Sequence, residues 1–232
     1  MKKIVVLTGA GMSAESGIKT FRDAGGLWED HDVMEVASID GWYKDPLLVL
    51  EFYNQRRKQL AEVHPNKGHK ALVELEKHFD VYIITQNVDD LHERAGSKNI
   101  LHLHGELTKV RSTGNEDMIY DIGAGELKWG EKCEKGYQLR PHIVWFGEPV
   151  PMIMEAAKIT EQADILIIIG TSLNVYPAAG LLDYASYRIP KYLIDPNASD
   201  DGRINNVTII RQEAGTGVPA LVKELESKFA TV

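Results

Sequence analysis

Thr8-Gly9-Ala10-Gly11-Met12-Ser13-Ala14 follows an apolar run and has the spacing G-x-G-x-x-A. In such a loop the first glycine permits a tight turn. The second lets the backbone approach a pyrophosphate, and the small third residue permits close packing. A helix opening after the loop would turn its unpaired N–H groups to the phosphates. Thr85-Gln86-Asn87-Val88-Asp89 ends a second apolar run. Its amides and carboxylate can bond sugar hydroxyls or an amide, or simply cap the next helix. Leu101-His102-Leu103-His104-Gly105-Glu106 alternates, so in a strand the two histidines share a face. Glycine directly after His104 allows close backbone approach, which favours His104 for proton transfer. A metal pair of the two histidines finds no other ligand nearby in the sequence. Gly170-Thr171-Ser172 closes a third run and suits a ribose or phosphate, or a plain strand–loop transition. Tyr53 and Arg56 are three apart, on one helical face. The plain reading of that face is an apolar stripe of Val49, Tyr53 and Leu60 with an arginine stem beside it, and with Arg57 facing solvent.

The elements that must hold these clusters are legible. Ile4–Thr8, Val81–Thr85, Ile165–Ile169, Tyr192–Ile194 and Val207–Ile210 are apolar without alternation, which suits parallel strands covered on both faces. Asp45-Pro46 reads as an N-cap and first helical residue, opening a helix to about Glu62. Asn66 can cap a second helix carrying Leu72 and Leu75. Helices are also expected over Met152–Gln162 and along Leu221, Val222, Leu225 and Phe229. Strand and helix alternate, so the class is α/β with a mostly parallel sheet. Residues 23–64 show no strand, and 109–139 show scattered charge and weak periodicity. Both look like insertions forming a smaller lobe.

Composition narrows the function. The chain has 232 residues, 26 basic against 34 acidic, and a net charge of −8. That balance argues against a nucleic-acid groove. No apolar run reaches the roughly 20 residues that span a bilayer. The single cysteine, Cys133, excludes an internal disulfide and a cysteine-only zinc cage. A cytoplasmic monomer is expected. An ordinary dehydrogenase is disfavoured, because no acidic residue follows a second strand about 20 residues after the loop to hold a ribose.

The motifs together resemble the sirtuin family of NAD-dependent protein deacylases. They are Gly9–Ser13 with Gly17-Ile18 and Phe21-Arg22-Asp23, Thr85–Asp89, His104-Gly105-Glu106, Val144-Trp145-Phe146-Gly147-Glu148, and Gly170-Thr171-Ser172. They follow the family's order and span about residues 4–220. The resemblance implies one catalytic domain with a Rossmann-like lobe (about 1–22, 65–108 and 140–232) and a small lobe (about 23–64 and 109–139). It implies that NAD is consumed, that acyl-lysine proteins or peptides are the substrates, and that nicotinamide and acyl-ADP-ribose are released. By the same resemblance Gly9, Ala10, Gly11, Ser13 and Arg22 would hold the pyrophosphate, and Phe21 would shield the reactive ribose carbon. Gln86 would meet the nicotinamide ribose, Asn87 would line the site and Asp89 would bind the carboxamide. His104 would be the general base. Gly170, Thr171 and Ser172 would meet the adenosine side, Asp195 its ribose, and Gly215 and Thr216 would lie under the adenine. A strand around Val144, Phe146, Gly147 and Glu148 would pair with an extended peptide.

Two features bear on the family's pattern. The usual zinc ribbon of two Cys-x-x-Cys pairs is missing: Ser112 stands at the first position and Cys133 is alone. No zinc is expected, and Ile119, Tyr120, Leu127, Trp129 and Tyr137 are the candidates to hold that lobe by packing. Tyr53-x-x-Arg56 resembles the signature of the subclass that removes succinyl and malonyl groups, in which arginine holds the acyl carboxylate. The alternatives are a mono-ADP-ribosyltransferase and a non-catalytic NAD sensor.

Overall fold

The computed structural model describes residues 1–18, 31–171, 173, 175–199, 202 and 204–229, and the backbone alone at 27–28. Strands in chain order are β1 (Lys3–Thr8), β2 (Leu27–Trp28), β3 (His31–Asp32), β4 (Asp80–Thr85), β5 (Ile100–His102) and β6 (Gly105–Ser112). They continue as β7 (Ile119–Asp121), β8 (Leu139–Ile143), β9 (Ile165–Ile169), β10 (Lys191–Ile194) and β11 (Val207–Ile210). Helices are α1 (Val33–Val36), α2 (Ile39–Lys44), α3 (Pro46–Glu62) and α4 (Lys67–Leu75). After them come α5 (Leu91–Ala95), α6 (Ile153–Glu161) and α7 (Ala214–Phe229).

The five apolar runs became parallel strands of one sheet, joined at its edge by β5, in the order β11-β10-β9-β1-β4-β5. Counted along the chain from the β5 edge, that is 3-2-1-4-5-6, the doubly wound Rossmann order. The side-chain alternation of a strand sorts the core into two layers. Ile4, Val6, Ile83 and Ile167 pack under α4 and α7, against Leu72, Leu75, Val218, Leu221 and Leu225. Val5, Leu7, Ile84 and Ile168 face the other way, against Ala156 and Ala157 of α6. Covering on both faces explains why these strands read as continuous apolar runs.

The predicted caps form. The Asp45 carboxylate accepts from Leu48 N at 3.0 Å, with Pro46 opening α3. The Asn66 side chain accepts from Gly68 N and His69 N, and His69 Nδ1 accepts in return from Asn66 N.

A third cluster lies under β6, β7 and β8, a small antiparallel sheet, where Val110, Leu107, Ile143 and Trp145 meet Val49, Phe52, Tyr53 and Leu60 of α3. Two corrections belong here. The expectation of no strand before α3 fails at the short β2–β3 pair. Of the five residues expected to hold the 109–139 segment, Leu127 is buried and Tyr120 packs against the cluster. Ile119, Trp129 and Tyr137 are exposed. β7 is an edge strand with one open face, so its outward residue Ile119 meets water. Hydrogen bonds fasten the segment instead: Leu127 N and O both bond the Asn54 side chain on α3, at 2.9 and 3.0 Å.

Candidate active site

The order of the main sheet reverses between β1 and β9, where Thr8 pairs with Ile169. Ligands of open α/β sheets bind in the crevice at the carboxyl ends of such strands. The loop Gly9–Ser13 leaves β1 here and the segment Gly170-Thr171 leaves β9. Gly9 N donates to Ile169 O and Gly11 N to Gly170 O, each at 2.9 Å. A Cβ on Gly11 would lie 2.6 Å from Gly170 Cα, and one on Gly170, at φ +60, would lie 2.4 Å from Met12 N. The two glycines are therefore required by each other, whatever else approaches Gly11.

The loop does not open an α-helix as the sequence suggested. It winds into two turns of 3-10 helix, Ala10–Met12 and Ala14–Ser16, and Gly17 at φ +97 ends the second. Asn66 Nδ2 donates to Met12 O at 2.8 Å and to Ser16 Oγ, which holds the wound loop against the start of α4. Glu15 reaches across to accept from Gly215 N at the start of α7. Gly215 is thus already bonded to a carboxylate, and Thr216 beside it is exposed.

The floor of the crevice is a polar chain. Asn87 Nδ2 donates to Ser13 Oγ at 3.2 Å, and Ser13 Oγ donates to Asp89 Oδ2 at 2.9 Å. Burial raises the pKa of the Asp89 carboxyl, against the lowering effect of the Ser13 and Leu91 bonds. Gln86 Nε2 bonds Thr171 Oγ1 at 3.3 Å, bridging the two sides of the switch point. Beneath lie Thr8 and Thr85, which the sequence placed in the clusters without a role, and the histidines His69 and His92, which it did not single out. Thr8 Oγ1 donates to Thr85 Oγ1 at 2.8 Å, and Thr85 Oγ1 accepts from Asn87 N at 3.0 Å. His92 Nε2 sits 3.2 Å from Thr8 Oγ1, and its ring lies 4.8 Å from that of His69. Burial lowers the pKa of both imidazoles, that of His69 to about 4, so the pair is neutral. Asp195 is buried at the end of β10, its Oδ1 accepting from Asn197 N at 2.8 Å.

The two histidines of the third cluster part company. β5 ends at His102 and β6 begins at Gly105, so they do not share one strand face as expected. Gly105 sits at φ +80 with His142 O only 2.0 Å from where a Cβ would be, which is the close approach the sequence suggested. His104 Nδ1 lies 3.0 Å from the Gln86 carbonyl. A carbonyl can only accept, so Nδ1 carries the hydrogen and Nε2 keeps a lone pair. Burial lowers the His104 pKa, partly offset by that carbonyl bond. His102 turns the other way, bonding Asn87 O at 3.1 Å and Glu93 Oε1 at 2.7 Å. Burial opposes its charge, but Glu93 and Glu106 outweigh it and raise its pKa. Carboxylates thus do neighbour His102, although Lys109 already pairs with Glu106 at 2.7 Å.

On α3, Tyr53 and Arg56 are both buried, at 0 % and 7 % exposure. Arg56 Nη1 donates to Gln59. Arg57 is also buried, against the expectation that it faces solvent. Its guanidinium donates to Gly125 O, Leu107 O and Asn54 Oδ1, pinning the small sheet to α3. The segment Val144–Glu148 is not a strand. Gly147 at φ +89 and the bond from Glu148 N to Trp145 O fold it into a turn after β8. Phe146 pairs its main chain with Ala37 O and Ile39 N, while its ring is 44 % exposed. The Glu148 carboxylate faces inward to Arg140, at 2.6 and 2.9 Å, and to Trp145 N at 2.8 Å. Phe21, Arg22 and Ser172 lie outside the described residues.

Ser112 and Cys133 do meet, the thiol donating to Ser112 Oγ at 3.3 Å. Tetrahedral zinc needs four ligands. Among the described residues the only grouping of three possible ligands is Glu93, His102 and Glu106, elsewhere. The residues around Cys133 do not fit zinc. Those at the switch point do fit NAD. Glycine backbones close the crevice without Cβ atoms, and amides, hydroxyls and a carboxylate line it.

The sequence profile of the Sir2 family matches residues 9–177. The chain belongs to the Sir2 family, the sirtuins. It is 58% identical over 225 residues to the NAD-dependent protein deacylase of Helicobacter pylori, covering 97% of this chain and 96% of that protein. It is 58% identical to the one of Bacteroides thetaiotaomicron, covering 95% and 97%. Among solved structures, a Sir2 homologue in complex with NAD is 40% identical, with a TM-score of 0.88, covering 98% of this chain and 90% of that one. A mutant Sir2 homologue in complex with ADP ribose is 39% identical at a TM-score of 0.89, covering 100% and 94%. This sirtuin is an NAD-dependent protein deacylase with a Rossmann-type sheet and a small antiparallel lobe. Among the described residues no helix is long and apolar enough to cross a membrane.

Proposed function

We propose that this sirtuin removes short acidic acyl groups, succinyl and malonyl, from lysine in addition to acetyl, releasing nicotinamide and acyl-ADP-ribose. The observation that carries this reading is the burial of both Tyr53 and Arg56 on the inner side of α3. An acyl carboxylate entering a buried channel is costly unless a cation meets it, and the guanidinium of Arg56 can be that cation. Arginine binds a carboxylate through two parallel N–H bonds, and a phenol can add a third.

When bound, NAD supplies an electrophilic ribose carbon as nicotinamide departs. Asp89, held by Ser13, orients the carboxamide, and Asn87 lines the site beside it. Gln86 meets the nicotinamide ribose. Gly9, Ala10 and Gly11 would face the pyrophosphate, and Gly170, Thr171 and Asp195 would meet the adenosine side, with Gly215 and Thr216 near the adenine. The family resemblance would add Arg22 at the pyrophosphate, Phe21 to exclude water from the ribose carbon, and Ser172 on the adenosine side. His104 takes a ribose hydroxyl proton at Nε2, because its Nδ1–H is committed to Gln86 O. Val144, Phe146 and Gly147 line the peptide's path, and Glu148 supports that turn from behind through Arg140.

The test compares kcat/KM on succinyl-, malonyl- and acetyl-lysine peptides. Wild type is expected to prefer the acidic acyl groups. Arg56→Met is expected to lower the succinyl-to-acetyl ratio roughly 10- to 150-fold, the worth of a charge-assisted bond. The change should appear mainly in KM, since the carboxylate is held alike in ground and transition states. Equal losses on both substrates would show that Arg56 is structural.

A further inference from the structure

We propose that Trp145 is a positioning residue for acyl selection: its indole N–H fixes the Tyr53 phenol as a hydrogen-bond donor toward the acyl carboxylate. The proposal rests on the reading of Tyr53 and Arg56 given above and assigns a task to the one residue of Val144–Glu148 that has none.

The indole Nε1 of Trp145 lies 2.9 Å from the Tyr53 hydroxyl, and both side chains are buried. An indole nitrogen carries a hydrogen and offers no lone pair, so this bond has only one direction. Tyr53 Oη must accept from Trp145, and its own hydrogen is left to be donated elsewhere. A carboxylate accepts and never donates. The polarity set by Trp145 therefore matches the terminal group of a succinyl or malonyl chain. The methyl of an acetyl group gains nothing from it. A hydroxyl lacking that partner would be able to turn and would lose its fixed aim.

The indole is itself held. Arg140 lies over its ring at 3.5 Å from the centroid, and Glu148 grips Arg140 through both carboxylate oxygens while accepting from Trp145 N. Trp42 packs beside it at 5.5 Å between ring centroids. The order runs Glu148, Arg140, Trp145, Tyr53, from an ion pair at the lobe's turn to the phenol on α3. Burial raises the phenol pKa, more than the Trp145 bond and the charges of Arg140 and Arg56 lower it, so the hydroxyl keeps its hydrogen at neutral pH.

The experiment measures the succinyl-to-acetyl ratio of kcat/KM for wild type, Trp145→Phe, Tyr53→Phe and the double variant. Trp145→Phe keeps an aromatic face for Arg140 and removes the N–H. It is expected to lower the ratio about 3- to 10-fold, the worth of one neutral hydrogen bond. Tyr53→Phe should lower it at least as much. Because Trp145 acts only through the phenol, the double variant should match Tyr53→Phe alone. Losses that multiply, or a Trp145→Phe ratio equal to wild type, would overturn the proposal. A wild type that prefers succinyl, and loses the preference in Arg56→Met, would leave the acyl reading standing in that case. A wild type without the preference would overturn both. Should Trp145→Phe fail to fold, benzothienylalanine at position 145 keeps the ring's shape, lacks only the N–H, and is held to the same outcomes.

Discussion

His104 shows how a single residue's chemistry is set by one neighbour. Its Nδ1 faces the Gln86 carbonyl, which dictates the tautomer and leaves Nε2 basic. Burial disfavours the imidazolium, so its pKa lies below the ordinary 6.5. The protonated form is inactive as a base, so activity should fall only as pH drops through that depressed value. The acid limb of kcat/KM against pH is expected below 6.5, and a limb at or above 7 would contradict it. His104→Ala should lose about 100-fold or more in turnover, as removal of a positioned base does, while calorimetry still detects NAD. Near-wild-type turnover would remove His104 from the chemistry. At this scale the sequence singled out His104, Tyr53 and Arg56 as candidates, and the fold buries Tyr53 and Arg56 and half-buries His104. It misjudged Arg57, because a second adjacent arginine can be buried only if distant carbonyls reach it. Gly125 O and Leu107 O do so from elements whose position the local sequence does not encode.

At the scale of elements, β1 and β9 are joined at their ends by Gly11 and Gly170. Neither glycine tolerates a Cβ, and Gly170 is in the left-handed region besides. Gly170→Ala is expected to cost about 2–3 kcal/mol from backbone strain and steric contact. For a domain of this size that is a fall of about 5–10 °C in melting temperature. NAD affinity should fall with it, since the crevice opens between these segments. An unchanged melting curve would show that the loop yields at no cost. The strands of the main sheet were legible because burial on both faces leaves a continuous apolar run. The Val144–Glu148 segment was not, because its apolar residues serve a turn. Gly147 and the inward Glu148 carboxylate end the strand at Ile143. The 3-10 winding after Gly9 was equally hidden, since its stability comes from Asn66, 54 residues from the Met12 carbonyl it holds.

The whole molecule holds its small lobe without a zinc ribbon's ligands. Ser112 and Cys133 touch where a cluster would form, but no third or fourth ligand gathers there among the described residues. The lobe is instead tied to α3 by Arg57, by the Asn54–Leu127 bonds and by the packing of Trp145 on Tyr53. Dialysis against a chelator is therefore expected to leave melting temperature and deacylation unchanged, and elemental analysis should find far less than one zinc per chain. One tightly bound zinc whose removal unfolds the protein would overturn this.

The sequence by itself determined the α/β class, the capped helices, the glycine loop and the order of motifs, because each depends on residues a few positions apart or on burial that leaves an apolar run. It also carried the absence of a cysteine cage, which needs only counting. Tertiary structure alone decided what those residues touch. It set the Rossmann strand order, and with it the crevice between Gly9 and Gly170, through crossovers that no local pattern specifies. It turned His102 to Glu93 and His104 to the Gln86 carbonyl, although only Leu103 lies between them. It brought Trp145 against Tyr53 across 92 positions of chain. Hydrogen-bond direction and pKa depend on the few atoms within about 3 Å, and only the folded chain supplies those neighbours.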